Sequence, residues 1–412
     1  MRSWARRALR VEYPRQVWLV TGAHGVNEFY SVALPPILPL LVSDFGLTYG
    51  RAGALVTVFF AMYSVFQLPA GMLADRVGQQ RLLTWGMVLL GAGLFVVGNA
   101  GSYSTMLAGQ ALAGIGGSTY HPSGMSLISD LEAGDTEGRA MGIHGLGGIV
   151  GMALAPVLVG GVASLAGWRL ALSVAALVGV GYAGCFRLLF SVPSSFRTPE
   201  VADGGAEVES AGPGTAEGLR ERIRAAVAIP LAWWVVGLFA ASFLFSFQMG
   251  AVRTFAPTYL FERLSGSSSV ANAIYFVMLA GAGAASIGAG NVADRFDRRL
   301  AGAAALTLAA GALGATALIP PRTDLMLGWF LVLGVIVYFA SPMKNALTSA
   351  YSERDSSGSL FGVMLSASSF GGATAPVLLG FVAERVGWAV AFPAIGLASL
   401  AGAAVFLALV RV

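Results

Sequence analysis

Ala155-Pro156-Val157-Leu158-Val159-Gly160 returns about 220 positions later as Ala375-Pro376-Val377-Leu378-Leu379-Gly380. Each copy is followed by a Gly-Trp pair, Gly167-Trp168 and then Gly387-Trp388. Farther out, Pro122 matches Pro342, and Ala74-Asp75-Arg76 matches Ala293-Asp294-Arg295, at nearly the same offset. One match would mean little in a chain with 55 glycines. Several in the same order indicate that the chain is an internal duplication.

Each copy lies in an apolar run. Of the 412 residues 56% are hydrophobic and 11% charged, against about 25% charged in a soluble domain. A water-exposed fold of this size needs more polar surface, so lipid must cover the outside. Windows of about 20 apolar residues predict spans at 17–42, 52–74, 82–100, 104–128, 138–164 and 167–190. A second set follows at 231–260, 269–292, 300–319, 325–349, 358–382 and 387–410. The fold class is therefore all-α integral membrane, with twelve transmembrane helices in two six-helix bundles related by pseudo-two-fold symmetry. The domains are 1–190, a polar cytoplasmic linker over 191–229, and 230–412. The first run is too long, and too rich in proline and polar groups, for a cleaved signal peptide.

Twelve spans place both termini on one side of the membrane. Eighteen basic residues fall on that side and five on the other, which predicts cytoplasmic termini. The net charge of +4 reflects this topology. No basic stripe interleaved with aromatics points to nucleic acid. The single cysteine, Cys185, has no partner for an intrachain disulfide.

Gly71-Met72-Leu73-Ala74-Asp75-Arg76-Val77-Gly78, after the second span, resembles the signature loop of the major facilitator superfamily. Gly290-Asn291-Val292-Ala293-Asp294-Arg295 is a shorter echo. The resemblance implies a transporter that works by alternating access, a monomer in the lipid bilayer, with no cofactor. It also implies a cytoplasmic latch formed by Gly71, Asp75, Arg76, Gly78, Asp294 and Arg295. Gln79 and Gln80 stand where the family often carries basic residues. Over roughly the first 160 residues the chain resembles the fosmidomycin-resistance branch, whose members are proton-driven drug exporters. The residues that carry this resemblance are His24, Asn27, Leu34-Pro35, Leu38-Pro39 and Tyr120-His121-Pro122, with Glu28 standing where the branch has Asp. The glycines around Pro156 (Gly147, Gly148, Gly151, Gly160, Gly161) resemble an antiporter motif and equally suit tight helix packing.

Sorting charges by depth isolates candidate functional residues. Glu28 is the one acid well inside a span, Arg253 and Lys344 are the bases there, and all three histidines lie within spans. Charges at membrane depth cost ~2.5 kcal/mol or more, so such groups face a partner or a wet cavity. His24 and Glu28 are one turn apart and share a face. A buried carboxylate whose neighbours change between access states can take up and release a proton, and a histidine can share it. Glu28 and His24 are thus the expected proton-coupling pair. Asn27, Tyr30, His121, His144, Gln248, Arg253 and Lys344 are the expected substrate-binding set, and the two bases suit an anionic group.

The favoured reading is proton-coupled export of a small organic compound. Uptake of an organic anion with protons fits the same residues. A sensor that binds without translocating is a further class, supported only by the linker. An enzyme or metal site is disfavoured, because the chain has no H-E-x-x-H pattern, no cysteine ligand set and no second acid at depth.

Overall fold

A computed structural model of the chain describes residues 11–132, 136–191, 233–344 and 357–409, with side chains at all of these except 286–294 and 357–362. The expected linker therefore lies almost wholly outside the described residues.

Among the described residues eleven helices are long and apolar enough to cross a membrane. They are α1 (Pro14–Phe45), α2 (Tyr49–Val77), α3 (Gln79–Gly98), α5 (Glu137–Ala166), α6 (Trp168–Leu189), α7 (Trp233–Arg263), α8 (Ser268–Arg295), α9 (Arg298–Leu318), α10 (Thr323–Lys344), α11 (Ser357–Val386) and α12 (Trp388–Ala408). The twelfth span, α4 (103–131), is two shorter helices, Tyr103–Ser118 and Tyr120–Leu131. The sequence reading gave it as one continuous run. Pro122 cannot donate the N–H that would bind the Ser118 carbonyl. The hydroxyls of Ser118 and Thr119 donate back to the Ile115 and Gly116 carbonyls, at 2.6 and 2.9 Å, which loosens the helix further. Span α1 is broken in the same way past Ser31, where Pro35 and Pro36 force a short 3-10 turn.

The duplication is visible in the packing. Helices α1 and α5, α2 and α4, and α3 and α6 pair in the first half. In the second half α7 and α11, α8 and α10, and α9 and α12 pair in the same way. Gly167 and Gly387, with φ of +86° and +73°, make the same left-handed entry into α6 and α12, a conformation that favours glycine. One difference separates the copies. Pro156 opens a π-helical turn, Pro156–Gly160, whereas Pro376 stays within a continuous α-helix.

The halves meet along α2–α11 and α5–α8. Tyr49 donates to Glu262 (2.6 Å), the Gly50 N–H to Glu384 (2.6 Å), Thr57 to the Ala373 carbonyl (2.6 Å) and Asn272 to the Pro36 carbonyl (3.0 Å). These contacts lie from the bilayer centre to the end away from the termini. Asp75 and Arg76 lie exposed at the opposite end of α2, and Arg295 is exposed at the end of α8. Gly78 takes φ +89° at the α2–α3 turn, and a Cβ on Gly71 would meet only Pro122 at 3.5 Å. The side chain of Asp294 lies outside the described residues.

The start of α1 has no side-chain cap of its own. The carboxylate of buried Glu132 takes the backbone N–H groups of Glu12 and Tyr13, at 2.8 and 2.6 Å. Losing such a cap costs ~1–2 kcal/mol. Glu132→Ala is expected to lower the thermal unfolding midpoint in detergent by a few degrees. An unchanged midpoint would show that the cap adds nothing.

Candidate functional site

Glu28 lies near the middle of α1, about two turns before the Pro35-Pro36 break, with 15% of its side chain accessible. Three helices place charged groups around it. From α1 itself, His24 Nε2 is 3.9 Å from Oε1. From α4, His121 Nε2 is also 3.9 Å from Oε1. From α7, in the other half, an Arg253 guanidinium nitrogen is 3.8 Å from Oε2. These separations sit within Coulombic reach and beyond hydrogen-bond length. The carboxylate is shared among three bases and clamped by none of them. Ser31 Oγ and Asn27 Nδ2 lie 3.4 Å from its two oxygens, and Asn27 Nδ2 is 3.3 Å from the Tyr63 hydroxyl.

Local sequence explains the arrangement. The i, i+4 spacing stacks His24 under Glu28. The break at Thr119 starts a new helix at Tyr120 and turns His121 inward. Glycines let α5 lie directly on α1. A Cβ on Gly147 would sit 2.2 Å from the Thr21 carbonyl oxygen, and one on Gly151 2.0 Å from that of Gly25. Arg253 crosses between the halves, with one nitrogen 2.7 Å from the Met152 sulfur on α5. Its Nε is buried with no hydrogen-bond partner, as are His121 Nδ1 and Asn27 Oδ1.

The structure thus brings together Glu28, His24, Asn27, His121 and Arg253. It places the other expected residues elsewhere. Tyr30 is buried with its hydroxyl donating to the Ala175 carbonyl at 2.8 Å, bolting α1 to α6. Gln248 is fully buried between Ser399 on α12 and the Val337 carbonyl on α10. His144 packs behind His24 and meets the Tyr120 hydroxyl at 2.7 Å. Lys344 does not join Glu28. Its Nζ donates to Ser368 on α11 at 3.1 Å and sits 5.5 Å from the Phe245 ring. Ser31 and Met152 were missed. Ser31, at i+3 from Glu28, was available from helical spacing, whereas Met152 depends on tertiary packing. Among the described residues no cluster of three or more His, Cys, Asp or Glu could hold a metal ion.

A sequence profile of the Major Facilitator Superfamily matches residues 17–288 and 238–412. The fosmidomycin resistance protein of Escherichia coli is 32% identical over 136 residues, 33% of either chain. The riboflavin transporter of Clostridioides difficile is 26% identical over 158 residues, 37% of this chain and 35% of that one. The matched stretches thus span about a third of those relatives. A bacterial homologue of the human lysosomal transporter Spinster, solved in an inward-facing and unoccupied conformation, superposes with a TM-score of 0.72. It is 18% identical and covers 95% of this chain and 94% of its own. With its twelve spans and duplicated halves, the chain belongs to the Major Facilitator Superfamily, whose members are membrane transporters and not enzymes.

Proposed function

We propose that the protein is a proton-coupled secondary transporter that expels a small organic compound by alternating access. Residues 1–190 and 230–412 rock against each other as a monomer, with both termini cytoplasmic. The observation that carries this reading is the shared carboxylate. Glu28, from one half, faces Arg253 from the other at 3.8 Å, with two imidazoles at 3.9 Å. Ionised, Glu28 attracts Arg253 and holds the halves together. Protonated, it releases them. A substrate bearing an acidic group competes with Glu28 for Arg253 and His121, so substrate and proton occupy the site in alternation. Resemblance to the fosmidomycin resistance protein favours export.

The inter-half contacts on the side away from the termini favour a state open toward the termini, which we take as inward-facing. In the other state Gly71, Asp75, Arg76, Gly78, Asp294 and Arg295 would form the latch. Uptake of an organic anion is the second reading. It is favoured by the concentration of bases around one acid and by the similarity, 29% over 126 residues, to a probable L-galactonate transporter.

The test is proton flux in proteoliposomes with an imposed pH gradient and a panel of organic anions, cations and neutral drugs. A compound that dissipates the gradient while moving against the proton supports export. Movement with the proton selects uptake, and transport with no proton movement overturns both. Lys344, the sole lysine, tests the substrate's charge. Lys344→Ala is expected to weaken binding of anionic compounds about tenfold, the loss of one charge-assisted contact, and to spare neutral ones. Equal loss for both would assign it a structural role.

A further inference from the structure

The His24 ring is held on three sides. Nδ1 lies 2.8 Å from the backbone carbonyl oxygen of His144. One ring face stacks on His144 (centroids 4.1 Å apart, planes at 11°) and on Tyr120 (5.0 Å, 3°). Those two rings are joined as one plate. The Tyr120 hydroxyl donates to the Val20 carbonyl at 3.0 Å and takes the His144 Nε2–H at 2.7 Å. Gly148 closes the third side, where a Cβ would come 2.6 Å from His24 Cε1.

A carbonyl oxygen accepts and cannot donate, so Nδ1 must carry the hydrogen. In neutral His24, Nε2 is then a bare acceptor, and it is the atom that faces Glu28 Oε1 at 3.9 Å. A lone pair facing an ionised carboxylate is repulsive. A proton on either atom turns that contact into an attraction. Arg253 approaches the other carboxylate oxygen, Oε2, and leaves Oε1 to the imidazoles. His121 faces the same oxygen, but its Nδ1 has no hydrogen-bond partner, so nothing fixes its tautomer.

We propose that the His144 carbonyl and Gly148 are positioning elements. They lock His24 in the Nδ1–H tautomer, so that Nε2 and Glu28 Oε1 hold one proton between them. The inference rests on the reading of Glu28 as the coupling carboxylate with His24 as its partner, and it adds what aims His24 and fixes its tautomer. The ionisable groups facing the pair are Arg253 from α7, His121 and Tyr120 from α4, His144 from α5, Tyr63 from α2 and Tyr338 from α10.

The test is nitrogen-15 NMR of the full chain, labelled at histidine, in lipid nanodiscs at alkaline pH. Three histidines give few signals, and His24→Gln identifies those of His24. The expected spectrum has a protonated Nδ1 and a bare Nε2, the reverse of the tautomer that free histidine favours. Gly148→Ala should relax this preference toward Nε2–H. In proteoliposomes it should lower the protons moved per substrate while substrate exchange at equal pH continues.

A wild-type His24 in the Nε2–H form overturns the proposal, and that spectrum decides even if Gly148→Ala fails to fold. A relaxed tautomer with an unchanged proton ratio also overturns it. Wild-type coupling in Glu28→Gln would instead sink the coupling role of Glu28, whatever the tautomer of His24.

Discussion

Glu28→Gln is expected to bring substrate-driven proton flux to the background of empty liposomes, while exchange of labelled for unlabelled substrate at equal pH persists. Glutamine keeps the shape and the contacts of Asn27 and Ser31 with the side chain. It cannot carry a proton. It also leaves Arg253 without its counter-charge. Removing one partner of a fully buried ion pair costs ~3–5 kcal/mol. The Glu28 and Arg253 side chains keep 15% and 22% of their surface accessible, and they stand 3.8 Å apart. The penalty therefore falls below that range, and the variant should still fold. A double variant, Glu28→Gln with Arg253→Gln, separates the two effects: it should recover stability and should not recover coupling. If Glu28→Gln alone drives protons at the wild-type rate, the carboxylate is only a structural counter-ion.

The duplication and the spans were legible because they rest on local chemistry. Proline, glycine and tryptophan at matched positions produced matched turns at Gly167 and Gly387. The break in α4 was also signalled, by Ser118-Thr119 ahead of Pro122, but a hydropathy window averages over it. The pairing of His24 with Glu28 followed from helical spacing. Tyr30 was misplaced although the same spacing excludes it, since a residue two positions on points to the far side of the helix. Gln248, five positions before Arg253, is likewise rotated away from it.

Whether Glu28 meets Arg253 or Lys344 could not be read from the chain. Both bases lie at membrane depth, and the choice depends on how the halves dock. The His144 carbonyl was hidden for another reason, because a backbone atom has no residue type to notice. The same limit applies to Pro156 and Pro376, which sit in nearly identical sequence yet open a π-turn in one copy only.

The second large effect is expected at the seam between α2 and α11. A Cβ on Gly53 would sit 2.2 Å from the Pro376 carbonyl oxygen, and one on Gly380 2.4 Å from that of Tyr49. Both obstacles are backbone, so the helices themselves must part. Overpacking of this kind costs ~1–3 kcal/mol, which moves a two-state equilibrium ~5- to 150-fold.

Gly53→Ala is therefore expected to shift the protein toward the state open on the side away from the termini. In a background with exposed Cys185 replaced by serine, a cysteine at Thr57 reports on the seam, because Thr57 donates to Ala373 across it. Its labelling by an impermeant maleimide from that side should rise by a comparable factor. Gly311→Ala, on α9, places its Cβ where nothing lies within 4 Å and should leave labelling unchanged.

The two copies differ at this seam. Asp44 holds the Trp168 indole N–H at 2.7 Å within the first half. Glu262, its counterpart, instead takes the Tyr49 hydroxyl from the other half, and the Tyr49 ring packs edge-on against Trp388 at 5.0 Å. Tyr49→Phe removes the donor that Tyr49 offers Glu262 across the seam, so it should push the equilibrium the same way as Gly53→Ala. Unchanged Thr57 labelling in both variants would mean that the closure is held elsewhere, and the α1–α8 contact of Asn272 with Pro36 would then be the one to break.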